Sequence, residues 1–302
     1  MKKRVAGIDI GSNTILMLIA DVEADGSIKV IRDENAIARL GEGVNENKNL
    51  KAEAIERSLK ILSGYKSICD AENVDVILPV ATSAMRDAQN GQNTAELFSE
   101  VLQAKVEIIS GPEEARLTFI GSIEDRDNCT VIDIGGGSTE FISGADDSIA
   151  YKSSINIGAV RIKEMFFPQH PPTLEQISAA QKFIIENLDK IDKSEIHKYW
   201  YAVAGSPTSV AAIHLGLREF DYDRIHLFQL STEIIEEVWE IIMTHSVQDI
   251  VDKYNMHPRR ADIIAAGVLT LKTSLAYFSN PNCSVSVKGL RFGIIKNYAK
   301  GI

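Results

Sequence analysis

Two short runs bring together residue types suited to gripping an anion: Asp9-Ile-Gly-Ser-Asn-Thr14 and Asp133-Ile-Gly-Gly-Gly-Ser-Thr-Glu140. Each closes an apolar, β-branched run with an aspartate, then turns through glycine into small hydroxylated residues. Glycine at Gly11, Gly135, Gly136 and Gly137 lets backbone N–H groups converge with no Cβ in the way. Ser12, Thr14, Ser138 and Thr139 add hydroxyl donors. One such loop alone would read as an ordinary hairpin. Two with the same order of residue types read as related half-domains holding one phosphate-bearing ligand.

The segment Ser110-Gly-Pro-Glu-Glu-Ala-Arg116 supplies a candidate base. Ser110 and Glu113 fit a capping box, with Pro112 in the first helical turn, where a missing N–H costs nothing. Glu113 is also spaced to pair with Arg116. Glu114 is left without a structural task, although acids are favourable in any first turn. In Val80-Ala-Thr-Ser-Ala-Met-Arg-Asp87 a buried strand leads into a Thr/Ser-capped turn that puts Arg86 beside backbone donors; a plain surface arginine is the alternative. Gly158-Ala-Val-Arg161 and Lys288-Gly-Leu-Arg291 place Arg161, Lys288 and Arg291 near glycine turns as candidate substrate contacts. Gly205 and Ser206 open a weaker third loop, since any helix start is capped this way and Pro207 lacks an N–H.

A length of 302 residues allows one large domain or two, and the duplicated loop favours two. With 45% apolar and 25% charged residues, the composition is that of a globular protein. Apolar stretches such as Ile15-Leu-Met-Leu-Ile-Ala20 fall far short of the roughly 20 residues of a membrane span, and Asp9 interrupts the run a signal peptide would need. Cys69, Cys129 and Cys283 show no CxxC spacing, which favours a reducing cytoplasm and gives no metal or disulfide framework. The histidines show no HExxH, so a zinc enzyme is not expected. A net charge of −10 argues against nucleic-acid binding. It also requires any polyanion to be recognised by a focused local site.

Strands and helices alternate as in a mixed α/β fold. Strands are expected at 5–10, 15–22, 27–35, 74–80 and 106–109. Helices are expected at 51–71, from 94, and at 113–122. Ile55, Leu59, Leu62 and Ile68 set the apolar face of the first. Beyond residue 130 the pattern is more helical, with helices at 173–188, 207–215, 232–245 and 260–277. A last strand at 284–288 then leads to a closing helix from Phe292. The join near residues 120–128 reads as a close-packed hinge.

Taken together, GIDIGSNT, RLGEG, ATSAMRDAQN, ISGPEEARL, DIGGGSTE, NIGAVRIKEMF, RADIIAAG and KGLRFG, in this order, resemble the exopolyphosphatase / guanosine pentaphosphate phosphohydrolase (Ppx/GppA) family. That family lies within the superfamily of actin, sugar kinases and heat-shock ATPases. The resemblance implies an α/β fold of two ribonuclease-H-like lobes with an interlobe cleft. The lobes would be residues 1–121 with the first phosphate loop and 122–302 with the second, the closing stretch returning to the first lobe. It implies Glu114 as general base, Asp133 and Glu140 as carboxylates for Mg²⁺ with Glu114 beside them, and Ser12, Asn13, Gly136, Gly137, Ser138 and Thr139 as the phosphate cradle, with Arg86 as a further donor. Asp9 would position the first loop or a metal-bound water. Mn²⁺ as a substitute and K⁺ as an accessory ion go with this reading, as do a cytoplasmic location and a homodimer.

The implied activity is release of orthophosphate from the end of inorganic polyphosphate, or removal of the 5′-terminal phosphate of pppGpp, or both. Larger family members continue into extra helical domains, so short polyphosphates are the expected better substrates. A kinase would need an acceptor hydroxyl site, whereas the EEAR carboxylate argues for water as acceptor. A catalytically silent actin-like nucleotide or phosphate sensor is the distant alternative, and intact Glu114, Asp133 and Glu140 argue against it.

Overall fold

The structure, a computed structural model, describes residues 2–124, 128–145 and 148–301. The expected hinge falls partly on residues 125–127, outside the described residues. The chain forms two compact units, Met1–Gly121 with Lys288–Ile302, and Ser122–Val287.

The first unit begins with β1 (Lys3–Ile10), whose Val5, Ala6, Ile8 and Ile10 are all buried. It turns directly into β2 (Thr14–Val22) and then β3 (Ile28–Ile37), a three-stranded antiparallel meander. A short helix α1 (Val44–Asn47) precedes α2 (Ala52–Ala71), which leads to β4 (Val76–Ala81). Then come α3 (Ser83–Asp87), α4 (Gly91–Leu102), β5 (Glu107–Ile108) and α5 (Gly111–Ser122). β4 and β5 join parallel to β1, so the sheet order is β3-β2-β1-β4-β5. The buried stripe of α2 is Ala54, Ser58, Leu62, Tyr65 and Cys69. The expected Ile55, Leu59 and Ile68 flank that stripe and pack against its edge.

The second unit repeats the plan. β6 (Cys129–Ile134), β7 (Thr139–Ala145) and β8 (Ser148–Ile155) form an antiparallel meander. After α6 (Ala159–Phe166) and α7 (Leu174–Leu188), β9 (Tyr199–Val203) pairs parallel with β6. Helices α8 (Gly205–His214) and α9 (Tyr222–Ile225) lead to β10 (Gln229–Ser231). Four helices follow: α10 (Thr232–Thr244), α11 (Val247–Tyr254), α12 (Pro258–Ala261) and α13 (Ile264–Tyr277). β11 (Asn282–Val285) completes the order β10-β11-β9-β6-β7-β8. Helix α13 is apolar all round and buried along almost its whole length, as such a helix must be. The expected single helix over 260–277 is two, and β7, β8 and β10 lie where the sequence reading assigned no element. The chain then returns to the first unit as α14 (Leu290–Ala299), packed on β1, β2 and β3.

Each unit thus has the ribonuclease-H-like arrangement, three antiparallel strands extended by parallel ones beside the first, with β10 added antiparallel at the edge of the second sheet. The α/β class and the two related sheets agree with the sequence reading. Among the described residues no helix is long and apolar enough to cross a membrane.

Candidate active site

Both aspartate–glycine runs are the turns of antiparallel hairpins that correspond residue for residue. Asp9 lies opposite Leu16 and Ile10 opposite Ile15; Asp133 lies opposite Glu140 and Ile134 opposite Thr139. Gly11 N donates to Thr14 O, and Gly135 N to Ser138 O, both at 3.0 Å. The amides of Gly11 and Gly135, expected to face phosphate, are therefore used to close their turns.

The second loop has every carbonyl tied down. Gly135 O accepts from Ala159 N at 2.9 Å, and Gly136 O accepts from Val160 N and Arg161 N at 2.9 and 3.1 Å. Gly137 O accepts from Gly158 N at 3.3 Å and from Arg161 Nε at 2.9 Å. In a trans peptide the carbonyl of one residue and the N–H of the next point in opposite directions. The N–H groups of Gly136, Gly137 and Ser138 consequently face away from α6. Among the described residues none of the three donates a hydrogen bond. Convergent amides of this kind form an anion nest. The first-turn donors of α6, which would otherwise be orphans, serve to orient it. A Cβ at position 158 would come within 2.4 Å of Gly136 C and O, so Gly158 lets α6 approach this closely.

The first loop is held differently. Ser12 O accepts from Gly41 N at 2.8 Å, which turns the Asn13 N–H outward. Asn13 O accepts from Ala38 N and Arg39 N at 3.0 and 2.9 Å. Ser12 Oγ shares a hydrogen bond with Ser83 Oγ at 3.0 Å, at the start of α3. Asp9 Oδ1 and Asn13 Oδ1 are buried, and among the described residues no donor reaches either. Burial, reinforced by the Glu114 carboxylate and opposed by Arg291, pushes the Asp9 carboxyl up to about 7.

Glu114 does have a structural partner, contrary to the reading from spacing. Arg86 Nη1 donates both to Ile109 O at 3.1 Å and to Glu114 Oε2 at 2.9 Å. Burial raises the proton affinity of Glu114, and the pull of Arg86 offsets this only in part. Arg86 is thus neither a plain surface residue nor wholly open to phosphate; its Nε and Nη2 make no hydrogen bond among the described residues. Thr82 provides no side-chain cap to α3. Glu113 forms half of the expected capping box, its N–H donating to Ser110 Oγ at 3.3 Å. Its carboxylate turns instead to Arg116, at 2.9 Å from Nε and 2.7 Å from Nη2.

Other predicted contacts are engaged structurally. Thr139 Oγ1 donates to Ile157 O at 3.2 Å and is buried, whereas Thr14 and Ser138 remain partly exposed. Arg291 is buried, with Nε and Nη2 each 2.7 Å from the Asp33 carboxylate and Nη1 donating to Lys288 O. Lys288 Nζ stands over the Phe292 ring. Ser206 is buried against Gly267 of α13. Pro207 lies in the first turn of α8, where its missing N–H would be an orphan in any case. Ala204, just before this helix, has φ 74, a costly conformation for a residue with a Cβ. The guanidinium of Arg260 lies beside Gly205, 3.7–3.9 Å from where a Cβ would sit. Among the described residues it has no hydrogen bond or ion pair, and burial pulls its proton affinity down while leaving it a cation. The sequence offered only its place in RADIIAAG.

The donors present fit a hard divalent cation. Asp133 and Glu140 are directly opposed on neighbouring strands, which puts two carboxylates side by side on one face of the sheet. Ser154 Oγ steadies Glu140 Oε1 at 2.6 Å. Among the described residues no cluster of three or more His, Cys, Asp or Glu occurs. Mg²⁺ suits such sparse, all-oxygen sites, because it keeps waters and takes substrate phosphate oxygens. Glu114, grouped with Asp133 and Glu140 on sequence grounds, belongs to the other unit and is held there by Arg86.

Ribonuclease-H-like units carrying matched hairpin loops define the class of α/β protein to which this chain belongs. The chain belongs to the Ppx/GppA phosphatase family, whose model matches residues 18–300. It is 37% identical over 306 aligned positions to a bifunctional 3-dehydroquinate synthase/phosphatase of Fusobacterium nucleatum, covering 96% of this chain and 46% of that protein. The chain therefore spans about half the length of that relative. Exopolyphosphatase 2 of Mycobacterium tuberculosis is 32% identical over 284 positions, 89% of each chain. The crystal structure of the Aquifex aeolicus Ppx/GppA family member matches with a TM-score of 0.84 at 28% identity, over 100% of this chain and 99% of that one. The fold and the family thus agree with the sequence reading, and the family is one of phosphatases.

Proposed function

We propose that this chain is a Mg²⁺-dependent phosphohydrolase that releases orthophosphate from the end of inorganic polyphosphate. The observation that carries the reading is Glu114, a half-buried carboxylate of raised proton affinity whose Oε2 is fixed by Arg86. A base for water needs that combination of fixed direction and heightened basicity. Glu114 takes a proton from water as the water oxygen bonds to the terminal phosphorus. The bridging P–O bond breaks, and its electron pair leaves on the shortened chain. In the second unit the amides of Gly136, Gly137 and Ser138 suit non-bridging phosphate oxygens, and in the first Arg86 keeps N–H groups suited to phosphate. Phosphoryl transfer asks a protein mainly for this positioning and charge neutralisation. Asp133 and Glu140 would hold Mg²⁺, which supplies Lewis-acid stabilisation of the phosphate oxygens when bound. The same machinery would serve the 5′-terminal phosphate of pppGpp.

Orthophosphate release, measured in parallel on polyphosphates of several lengths and on pppGpp with Mg²⁺, tests the reading. Activity on polyphosphate that vanishes in EDTA and returns with Mg²⁺ or Mn²⁺ is expected. Full activity in chelator, or none on either substrate with the metal present, would overturn it.

A further inference from the structure

We infer that Arg161 is a positioning residue for the second loop: its Nε–H holds the Gly137 carbonyl and thereby aims the Ser138 N–H at the bound anion. This rests on the phosphohydrolase reading but assigns Arg161 a role other than direct contact with substrate. The three loop carbonyls are not restrained alike. Those of Gly135 and Gly136 are held by backbone donors at 2.9–3.1 Å. The carbonyl of Gly137 has a longer backbone bond, 3.3 Å from Gly158 N, and its shorter one, 2.9 Å, comes from the Arg161 side chain. Ser138 is therefore the member of the nest whose amide direction depends on a side chain. Glycine makes the point matter, because the backbone at Gly137 can rotate at little cost. Rotation of that peptide would turn a carbonyl oxygen toward the anion in place of an N–H.

The chemistry of the side chain gives a clean test. Glutamine carries its amide nitrogen at the same distance along the chain as arginine Nε, without the charge. Lysine keeps the charge but has a methylene at that place. The backbone amides of Gly136, Gly137 and Ser138 are followed by NMR in the ¹⁵N-labelled full chain during titration with inorganic phosphate. Wild type, Arg161→Gln and Arg161→Lys are compared. In wild type all three amides should shift. Arg161→Gln should keep the Ser138 response, with phosphate binding within roughly threefold of wild type. Arg161→Lys should lose the Ser138 response while Gly136 and Gly137 still move, and bind phosphate about tenfold more weakly, the scale of one hydrogen bond. The opposite pattern, with lysine retaining the Ser138 response and glutamine weakening all three together, would show that Arg161 acts through its charge and would overturn the inference. Unchanged Ser138 responses in both variants would overturn it as well. Silence of all three amides in wild type would overturn the phosphate-binding reading itself, and the inference with it.

Discussion

The two hairpin loops share a turn closed by the same 3.0 Å bond, yet they are built for different work. The first leans on side chains: Ser12 and Asn13 occupy its tip, Asp9 faces apolar Leu16, and irregular backbone after β3 holds its carbonyls. The second leans on backbone: three glycines make the tip, a helix start holds the carbonyls, and Asp133 faces Glu140. On the proposed reading one hairpin plan serves two chemistries: proton handling by Asp9 and Glu114 beside the loop that side chains crowd, and binding of an anion and its cation at the bare one.

The largest effect that would sharpen this contrast is at Glu114. Glu114→Gln should lower kcat by about 10²–10⁴-fold, the usual contribution of a positioned base, with an unchanged thermal transition. A mild loss would remove proton handling from the first unit. Next comes Glu140→Gln, which should raise the Mg²⁺ concentration needed for half-maximal activity. The rise should exceed the roughly 10–100-fold typical of losing an outer-sphere partner. If the metal requirement does not move, the carboxylate pair is not the cation site.

A third outcome concerns pH. Asp9 holds its proton up to about 7 in the folded chain, well above its unfolded value, so the native state binds more protons between these limits. Its stabilising contribution is complete below the unfolded value and is lost as pH rises through 7. The unfolding free energy from urea titrations without divalent cations should fall over that range, by at most about 1.4 kcal/mol per pH unit. Asp9→Asn should flatten the decline, and equal slopes in both proteins would show that Asp9 is not its source. The smallest effect is expected at Glu113, whose pair with Arg116 is half exposed. Glu113→Gln should cost under about 1 kcal/mol in denaturant unfolding, with turnover retained. A large loss of turnover there would move the base by one residue.

What could be read from the sequence was local. The hairpins, the strand ends carrying Asp9 and Asp133, and the first turn of α5 follow from patterns a few residues long. What could not be read joins distant segments. Glu114 looked free because its partner, Arg86, stands 28 residues away, and the carbonyl clamp on the second loop comes from the chain around Gly158. Arg291 looked like a substrate contact because its glycine neighbour was visible and Asp33 was not. Strand β8 escaped because its alternation is written in Ser, Lys and Tyr, which bury little apolar surface.

The return of α14 to the first unit has a consequence for how the protein is made. Strands β1, β2 and β3 are synthesised well before the helix that covers them. The Asp33–Arg291 pair must wait for 258 further residues. Throughout that interval a largely apolar sheet face lacks its cover, while the second unit, contiguous in the chain, can complete its own core. The unit that begins first is thus the one whose cover is completed last.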